Sequence, residues 1–304
     1  HGESEIEKFL KPNLEDLHDP FLLHDMEKAT QRILSAIEQG ENILIYGDYD
    51  ADGMTAASVM KSALDELGAE AQVYLPNRFT DGYGPNLDVY QYYINNENIN
   101  LIITVDNGVA GVEAIAWAQE NGVDVIITDH HSMPDQLPNA YAIIHPEHPE
   151  SQYPFKYLAG VGVAFKVACA LLEYAPREML DLVAIGTIAD MVSLTDENRI
   201  LVAHGLKVLA QTERAGLQEL MKYAGVDFDK VTEETVGFQI APRLNALGRL
   251  GDPNPAIELL TGWDEDEAHE IAKMIDQKNS ERKGIVERIR IGALAMWRDE
   301  AVRV

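Results

Sequence analysis

The feature that most constrains this chain is a series of short, unbroken apolar segments that alternate with helix-like stretches through its first half. "NILIY" (42–46) reads as a strand, "MTAASVMKSALDELG" (54–68) as a helix that stops at a glycine, and "AQVYL" (71–75) as a second strand. A loop with "DGYGPN" and a helix-like stretch follow. Then come the strand "LIITV" (101–105), a helix over 109–120, the strand "VDVIIT" (123–128) and a further strand candidate, "AYAII" (140–144). A strand with one wet face alternates apolar and polar residues. These segments do not alternate, so both faces need a cover. Strands separated by helices predict a doubly wound α/β architecture with a mostly parallel sheet.

After about residue 157 the pattern turns helical. "VAFKVACALLEYA", "MLDLVAIGTIADMV" and "RILVAHGLKVLAQ" each carry apolar residues at helical spacing. The segment 264–297 holds no proline, opens acidic and turns basic, as a helix dipole favours. It reads as one long connecting helix, with Gly284 as the place for a bend. The expected organisation is a catalytic domain over 1–262 and the connecting helix over 263–304. At 304 residues the chain can bury a large core. No stretch is long and apolar enough to span a membrane. One cysteine permits no internal disulfide, which suits a reducing cytoplasm. Cys169, inside "VGVAFKVACALL", reads as a small core residue and not a nucleophile.

Charge balance constrains partners. There are 24 Lys+Arg against 51 Asp+Glu, a formal net charge of −27. Phosphate contacts want Lys and Arg, so the balance alone opposes nucleic-acid binding. A locally positive site, or divalent ions that cancel carboxylate charge, would lift that objection.

The acid is not spread evenly. In "YGDYDADGMT" Asp48, Asp50 and Asp52 directly follow the first strand. Asp106, in "TVDNG", follows "LIITV", and Asp129, His130 and His131, in "ITDHHS", follow "VDVIIT". Three strands therefore end in carboxylates or imidazoles. In an open α/β sheet, ligands bind outside the carboxyl ends of the strands. Like charges so close repel and are costly to desolvate, and they persist where a cation neutralises them. Mixed Asp and His donors suit Mn2+ or Zn2+, whereas Mg2+ prefers oxygen and water. Five or more ligands exceed one site with an open position, which points to two metals and to displacement at phosphorus.

"GDYDADG", "VDNG" and "DHH", then "GTIADMVSL" and "APRLNALGRL", in this order, resemble the DHH phosphoesterase superfamily. Within it they look like the RecJ branch, the single-strand-specific 5′→3′ DNA exonucleases. "LPNRFTDGYG" and "YPFKYLAGVGVAFK" are similar to that branch too, and the likeness covers nearly the whole chain. The resemblance implies hydrolysis of single-stranded DNA to mononucleotides in DNA repair and recombination, with Mn2+ as cofactor and Mg2+ as the second candidate. It implies a longer parent protein, in which the long helix leads to a second domain. By the same resemblance Asp50 and Asp52 match the metal-binding pair, Asp106 the carboxylate that bridges two metals, His130 a metal-binding histidine and Asp190 the last metal ligand. His131 matches the histidine beside the scissile phosphate, with Asp129 orienting both histidines. Asp48 belongs to the acidic run and need not be a ligand. Small DHH enzymes often carry a histidine where this chain has Tyr46, which leaves one metal with fewer protein ligands.

Arg243, Asn245 and Arg249 fall in one short segment, and arginine forks match phosphate oxygens. Surface salt bridging is the alternative on so acidic a chain. Arg78 and Tyr83 of the "DGYG" loop are candidates for a nucleotide contact or simply for a turn. Gly160 and Gly162 open a helix, whose free N–H groups hold a phosphate or merely make a tight start. Asn279 and Arg282 read as solvent-facing, with Arg282 kept as a substrate candidate. His145 and His148 read as structural or surface residues. Alternatives to the exonuclease are a phosphoesterase of short oligonucleotides or small cyclic or bisphosphate nucleotides, and a non-catalytic replication-associated relative. The expected partner is single-stranded DNA, beside unidentified repair or replication proteins, with the chain itself a monomer.

Overall fold

A computed structural model of the chain describes residue 6 and residues 9–301, with side chains to residue 297. Its five strands are β1 (Ile43–Tyr46), β2 (Ala71–Tyr74), β3 (Leu101–Val105), β4 (Asp124–Thr128) and β5 (Ala142–Ile144). They form one sheet in the order β2-β1-β3-β4-β5, and every pairing is parallel. The expected mostly parallel sheet is thus parallel throughout the described strands.

The unbroken apolar runs have the cause expected of them. Along β1, Ile43 and Ile45 enter one hydrophobic cluster while Leu44 and Tyr46 enter another on the opposite face. β3 divides likewise, with Leu101, Ile103 and Val105 on one side and Ile102 on the other. The smaller cluster is closed by α3 (Leu87–Asn96) and α4 (Val112–Glu120). The larger is closed by α1 (Met26–Gln39), α2 (Ala51–Glu66), α5 (Gly160–Leu172) and α6 (Leu180–Ala189). Each fully buried Ile or Leu contributes about 1.5–3 kcal/mol. The helix α1 was not anticipated, although Met26, Ala29, Thr30, Ile33 and Ala36 line one face of it.

Beyond these lie α7 (Asp196–Ala210) and α8 (Ala215–Ala224). A helical turn, Glu233–Thr235, runs into a π-helical turn, Val236–Ile240, and then into α9 (Ala241–Leu250). After α10 (Pro255–Thr261) comes α11 (Glu265–Ala301), which passes through Gly284 as continuous helix. Ala268, Ala272, Ile275 and Asn279 form its buried stripe. Asn279, expected to face solvent, is 2% exposed.

The connections fix where a site can form. The chain leaves β1 toward β2 and leaves β3 toward β4, yet β1 and β3 are neighbours. The crevice at such a reversal, outside the carboxyl ends of the strands, is where α/β sheets bind ligands.

Candidate metal centre

Residues 47–50 turn from β1 into α2. Asp50 caps α2, its Oδ1 accepting from the Gly53 amide at 3.0 Å. Asp48 is buried, and its Oδ1 accepts from the Tyr49 amide at 2.7 Å. Asp52, in the first turn of α2, is gripped at both oxygens: Oδ2 accepts from Gly160 N at 2.7 Å and Oδ1 from Val161 N at 2.8 Å. These amides begin α5, where unpaired N–H groups and the helix dipole favour an anion. The expectation that Gly160 offers its amide to a substrate phosphate is therefore corrected, because the anion at this helix start is the chain's own carboxylate. A Cβ at Gly160 would collide with Asp106 Oδ1, so only glycine lets α5 start this close. Gly162 serves packing, since a Cβ there would meet Leu158 at 3.2 Å.

Asp106 follows β3 with φ of 61°, in the left-handed region that aspartate visits more readily than most residues. Asn107 then ties the two neighbouring strands together, its Nδ2 donating to Tyr46 O at 3.2 Å and to Val105 O at 2.9 Å. Behind β4, Asp129 Oδ1 accepts from His130 N at 2.7 Å, His131 N at 3.1 Å and His131 Nδ1 at 2.8 Å. Its Oδ2 accepts from Val109 N at 3.0 Å. Asp129 thus orients the histidine pair. Burial alone would raise its pKa, but the bonds from His131 and the amides outweigh burial and lower it. His145 is buried and braces the same turn, with Nε2 2.8 Å from His131 O. Asp190 caps the end of α6, its Oδ2 3.8 Å from His130 Nδ1.

These side chains converge as three overlapping sets: Asp48, Asp50 and Asp106; Asp52, His130 and Asp190; and Asp106, His130 and His131. Within each set, one donor atom per residue lies within 4.8 Å of the others. At the centre His130 Nε2 faces Asp106 Oδ1 at 3.0 Å, both atoms buried and neither in a hydrogen bond. Buried lone pairs left this way cost free energy unless a cation takes them. The acidities agree. Burial, then Asp190 and Asp50, holds Asp52 well above the usual carboxylate range. Burial, then Asp52, Asp50 and Asp48, does the same to Asp106. Burial and Asp50 push Asp48 up to about 7 and Asp190 up to about 6. Burial and His131 lower His130 to about 4, which keeps it a neutral ligand. At His131 burial opposes charge, yet the bond to Asp129 and the nearby carboxylates raise it to about 9. The donor set fits two divalent ions that accept both oxygen and imidazole nitrogen.

The other expected residues divide. Asn245 Oδ1 accepts from Ala51 N at 2.8 Å, at the start of the helix that carries Asp52. Arg249 is exposed at the end of α9. Tyr83 sets its ring edge-on to His131, centroids 5.6 Å apart, and Tyr46 OH anchors that loop by donating to Gly84 O at 2.9 Å. Arg78 is exposed and lies 5.0 Å over the Tyr49 ring. Arg243 departs from expectation. It is 9% exposed, with Nε and Nη2 each 2.9 Å from Asp276 Oδ1 and Nη1 donating to Gln239 O at 2.7 Å, so it braces α11 and has no fork free for phosphate. Arg282 likewise donates to Asn279 Oδ1, at 3.2 and 3.1 Å. The residues missed from sequence are Val161 and Asn107. Only the asparagine of "VDNG" carried a signal.

Comparison with known proteins follows the same lines. The DHH family, N-terminal domain, matches residues 42–187. The single-stranded-DNA-specific exonuclease RecJ of Bacillus subtilis (strain 168) is 51% identical over 288 residues, which are 95% of this chain and 36% of the relative. The chain therefore spans about a third of the length of that relative. A crystal structure of exonuclease RecJ bound to manganese superposes with a TM-score of 0.84 at 33% identity, covering 93% of this chain and 72% of that one. The structure of RecJ in complex with Mn2+ from Thermus thermophilus gives 0.81 at 32%, covering 93% and 41%. Among the described residues no helix is long and apolar enough to cross a membrane.

Proposed function

This chain belongs to the RecJ branch of the DHH family, and from that premise we propose that it hydrolyses phosphodiester bonds of single-stranded DNA from the 5′ end. It releases mononucleotides, in DNA repair and recombination, in the cytoplasm. The observation that carries the reading is the buried, unbonded pair of His130 Nε2 and Asp106 Oδ1 at the meeting of three strand ends. Residues 1–262 act as the catalytic domain and 263–304 as the helix that leads to a second domain, with the chain a monomer and its protein partners unidentified.

Two divalent ions, Mn2+ first and Mg2+ second, would supply Lewis acidity at phosphorus and a nucleophilic water at neutral pH. Asp48, Asp50 and Asp106 would hold one ion and Asp52, His130 and Asp190 the other, with Asp106 placed to serve both through its approach to His130. Asp129 takes the Nδ1 proton of His131 as a hydrogen bond and favours the charged imidazole. Nε2 of His131 is left to donate to a phosphate oxygen. Asn245 turns its carbonyl to Ala51, so its Nδ2 is left for phosphate. Arg249 adds a free guanidinium fork. Tyr83 lines the approach to His131, and Arg78, over the Tyr49 ring, is kept as a candidate strand contact.

The test is degradation of a 5′-labelled single strand, the same strand in a duplex, and a dinucleotide, each with Mn2+ and with EDTA. Metal-dependent shortening of the single strand alone is expected. Preference for the dinucleotide would move the chain to the small-nucleotide phosphoesterases. No metal-dependent turnover of any diester would make it a non-catalytic relative.

A further inference from the structure

We propose that Phe238, together with Met191, forms an apolar step on which a nucleobase of the bound strand stacks at the edge of the metal centre. The inference rests on the single-strand nuclease reading above. Phe238 is 78% exposed although the residues around it are ordered into helix. It occupies the π-helical turn Val236–Ile240, whose two end residues are fully buried. The turn is therefore anchored on both sides while its middle residue is held out to solvent. A π-turn interrupts the regular helical ladder and is frequent at functional sites.

Its position links it to the site. A Cβ at Gly237 would touch Ile188 Cγ2 at 3.9 Å, so the turn packs on the end of α6. Two residues further along that chain is Asp190, in the set with Asp52 and His130. Met191 follows with φ of 62° and 89% exposure, higher than any other large apolar side chain among the described residues. A non-glycine residue in the left-handed region is strained and persists where its surroundings hold it. Continuing from Phe238, the same helix turns Asn245 toward Ala51 and carries Arg249 at its far end. About three turns separate Phe238 from Arg249, roughly 16 Å at helical rise. One helix therefore presents phosphate donors at one end and an aromatic face at the other.

That pairing identifies the occupant. A phosphate-binding end needs a polyanion, and an exposed ring needs a flat partner. Every base of a single strand offers a π face, and the contact is indifferent to sequence. A duplex keeps its internal bases stacked on one another and offers a π face only at its end, where the base is still held by its pair. The step thus favours single strands without reading their sequence.

The test compares the wild-type chain with Phe238→Ala and Phe238→Trp in Mn2+. Three substrates are used: a labelled single strand, the same strand built from abasic nucleotides, and methyl p-nitrophenyl phosphate, a small diester that carries no base. Phe238→Ala is expected to raise KM for the normal strand about 10-fold, as lost base stacking implies. Its kcat and its rate on the small diester stay as in wild type, and Phe238→Trp restores KM. On the abasic strand, wild type and Phe238→Ala have equal KM. A wild-type KM for Phe238→Ala on the normal strand overturns the proposal and leaves this face for other parts of a longer protein to cover. An equal loss on the abasic strand or on the small diester overturns it too, because the effect then runs through Asp190 and not through a base. Failure of the nuclease reading itself looks different: wild type would hydrolyse the small diester and leave the strand intact.

Discussion

Asp52 and Asp106 are both buried, and both are held well above the carboxylate range, chiefly by that burial. They should nevertheless respond differently to substitution. Asp106 Oδ1 has no hydrogen bond to lose, whereas Asp52 satisfies two α5 amides. Asp106→Asn keeps a residue that tolerates a left-handed backbone and removes a repelling charge. We expect hydrolysis to fall at least ~100-fold with no loss of melting temperature in EDTA, as for removal of a metal ligand from a site the apo fold does not need. Asp52→Ala should be as inactive and less stable by about 1–3 kcal/mol, the cost of unpaired buried amides. Melting scans in EDTA beside a diester assay decide it. Substantial activity of Asp106→Asn at limiting Mn2+ would remove Asp106 from the ligand set. At this scale the strand-end carboxylates were legible, because each stands directly after an apolar run. The grip of α5 on Asp52 was not, since it joins residues 108 apart. Arg243 was misread for a related reason: a residue type tells its charge, whereas its partner Asp276 lies 33 positions on.

Among the elements, α9 connects the rim of the site to the long helix. A Cβ at Gly248 would collide with Tyr49 O, so α9 lies directly against the acidic turn. Asn245 bonds Ala51 in that turn, and Arg243 reaches Asp276 on α11. Arg243→Met should keep most of the buried volume while orphaning Asp276 and the Gln239 carbonyl. Asp276 is 29% exposed, so water offsets part of the loss, and about 1–3 kcal/mol of stability should go. Urea denaturation beside strand KM separates two roles. Lost stability with little change in KM fits the brace, and a raised KM at full stability would return Arg243 to phosphate binding. The strands and the helices between them could be read from periodicity within a few residues, whereas α1, ahead of the first strand, was missed. The π-turn could not, because no spacing of apolar residues distinguishes it. Nor could the burial of Asn279, which needs a neighbour that only the packed chain supplies.

For the whole molecule, a net charge of −27 makes bound cations part of its energetics. A carboxyl whose folded pKa is raised takes stability away as pH climbs. The penalty is absent below its ordinary value of 3.8 and complete above its folded value, about 6 for Asp190 and about 7 for Asp48. His131, raised to about 9 from 6.5, adds stability that fades as pH rises through 9, in the same direction. Mn2+ held at the proposed site would bind the folded chain alone and compete with those protons. At a hundredfold excess over its Kd it should raise the melting temperature by roughly 5 °C or more at pH 8, and by clearly less at pH 5. Thermal scans at both values check this, and equal shifts would mean that the carboxylates are not the ligands. The span of the site along the chain also has a consequence in time. Asp52 waits for the amide of Gly160, and Ala51 waits for Asn245, 194 residues later. On a ribosome the acidic turns emerge early, but their clamps are made long afterwards. If the proposed nuclease reading holds, a nascent chain that carries every strand of the sheet should stay inactive until α9 docks.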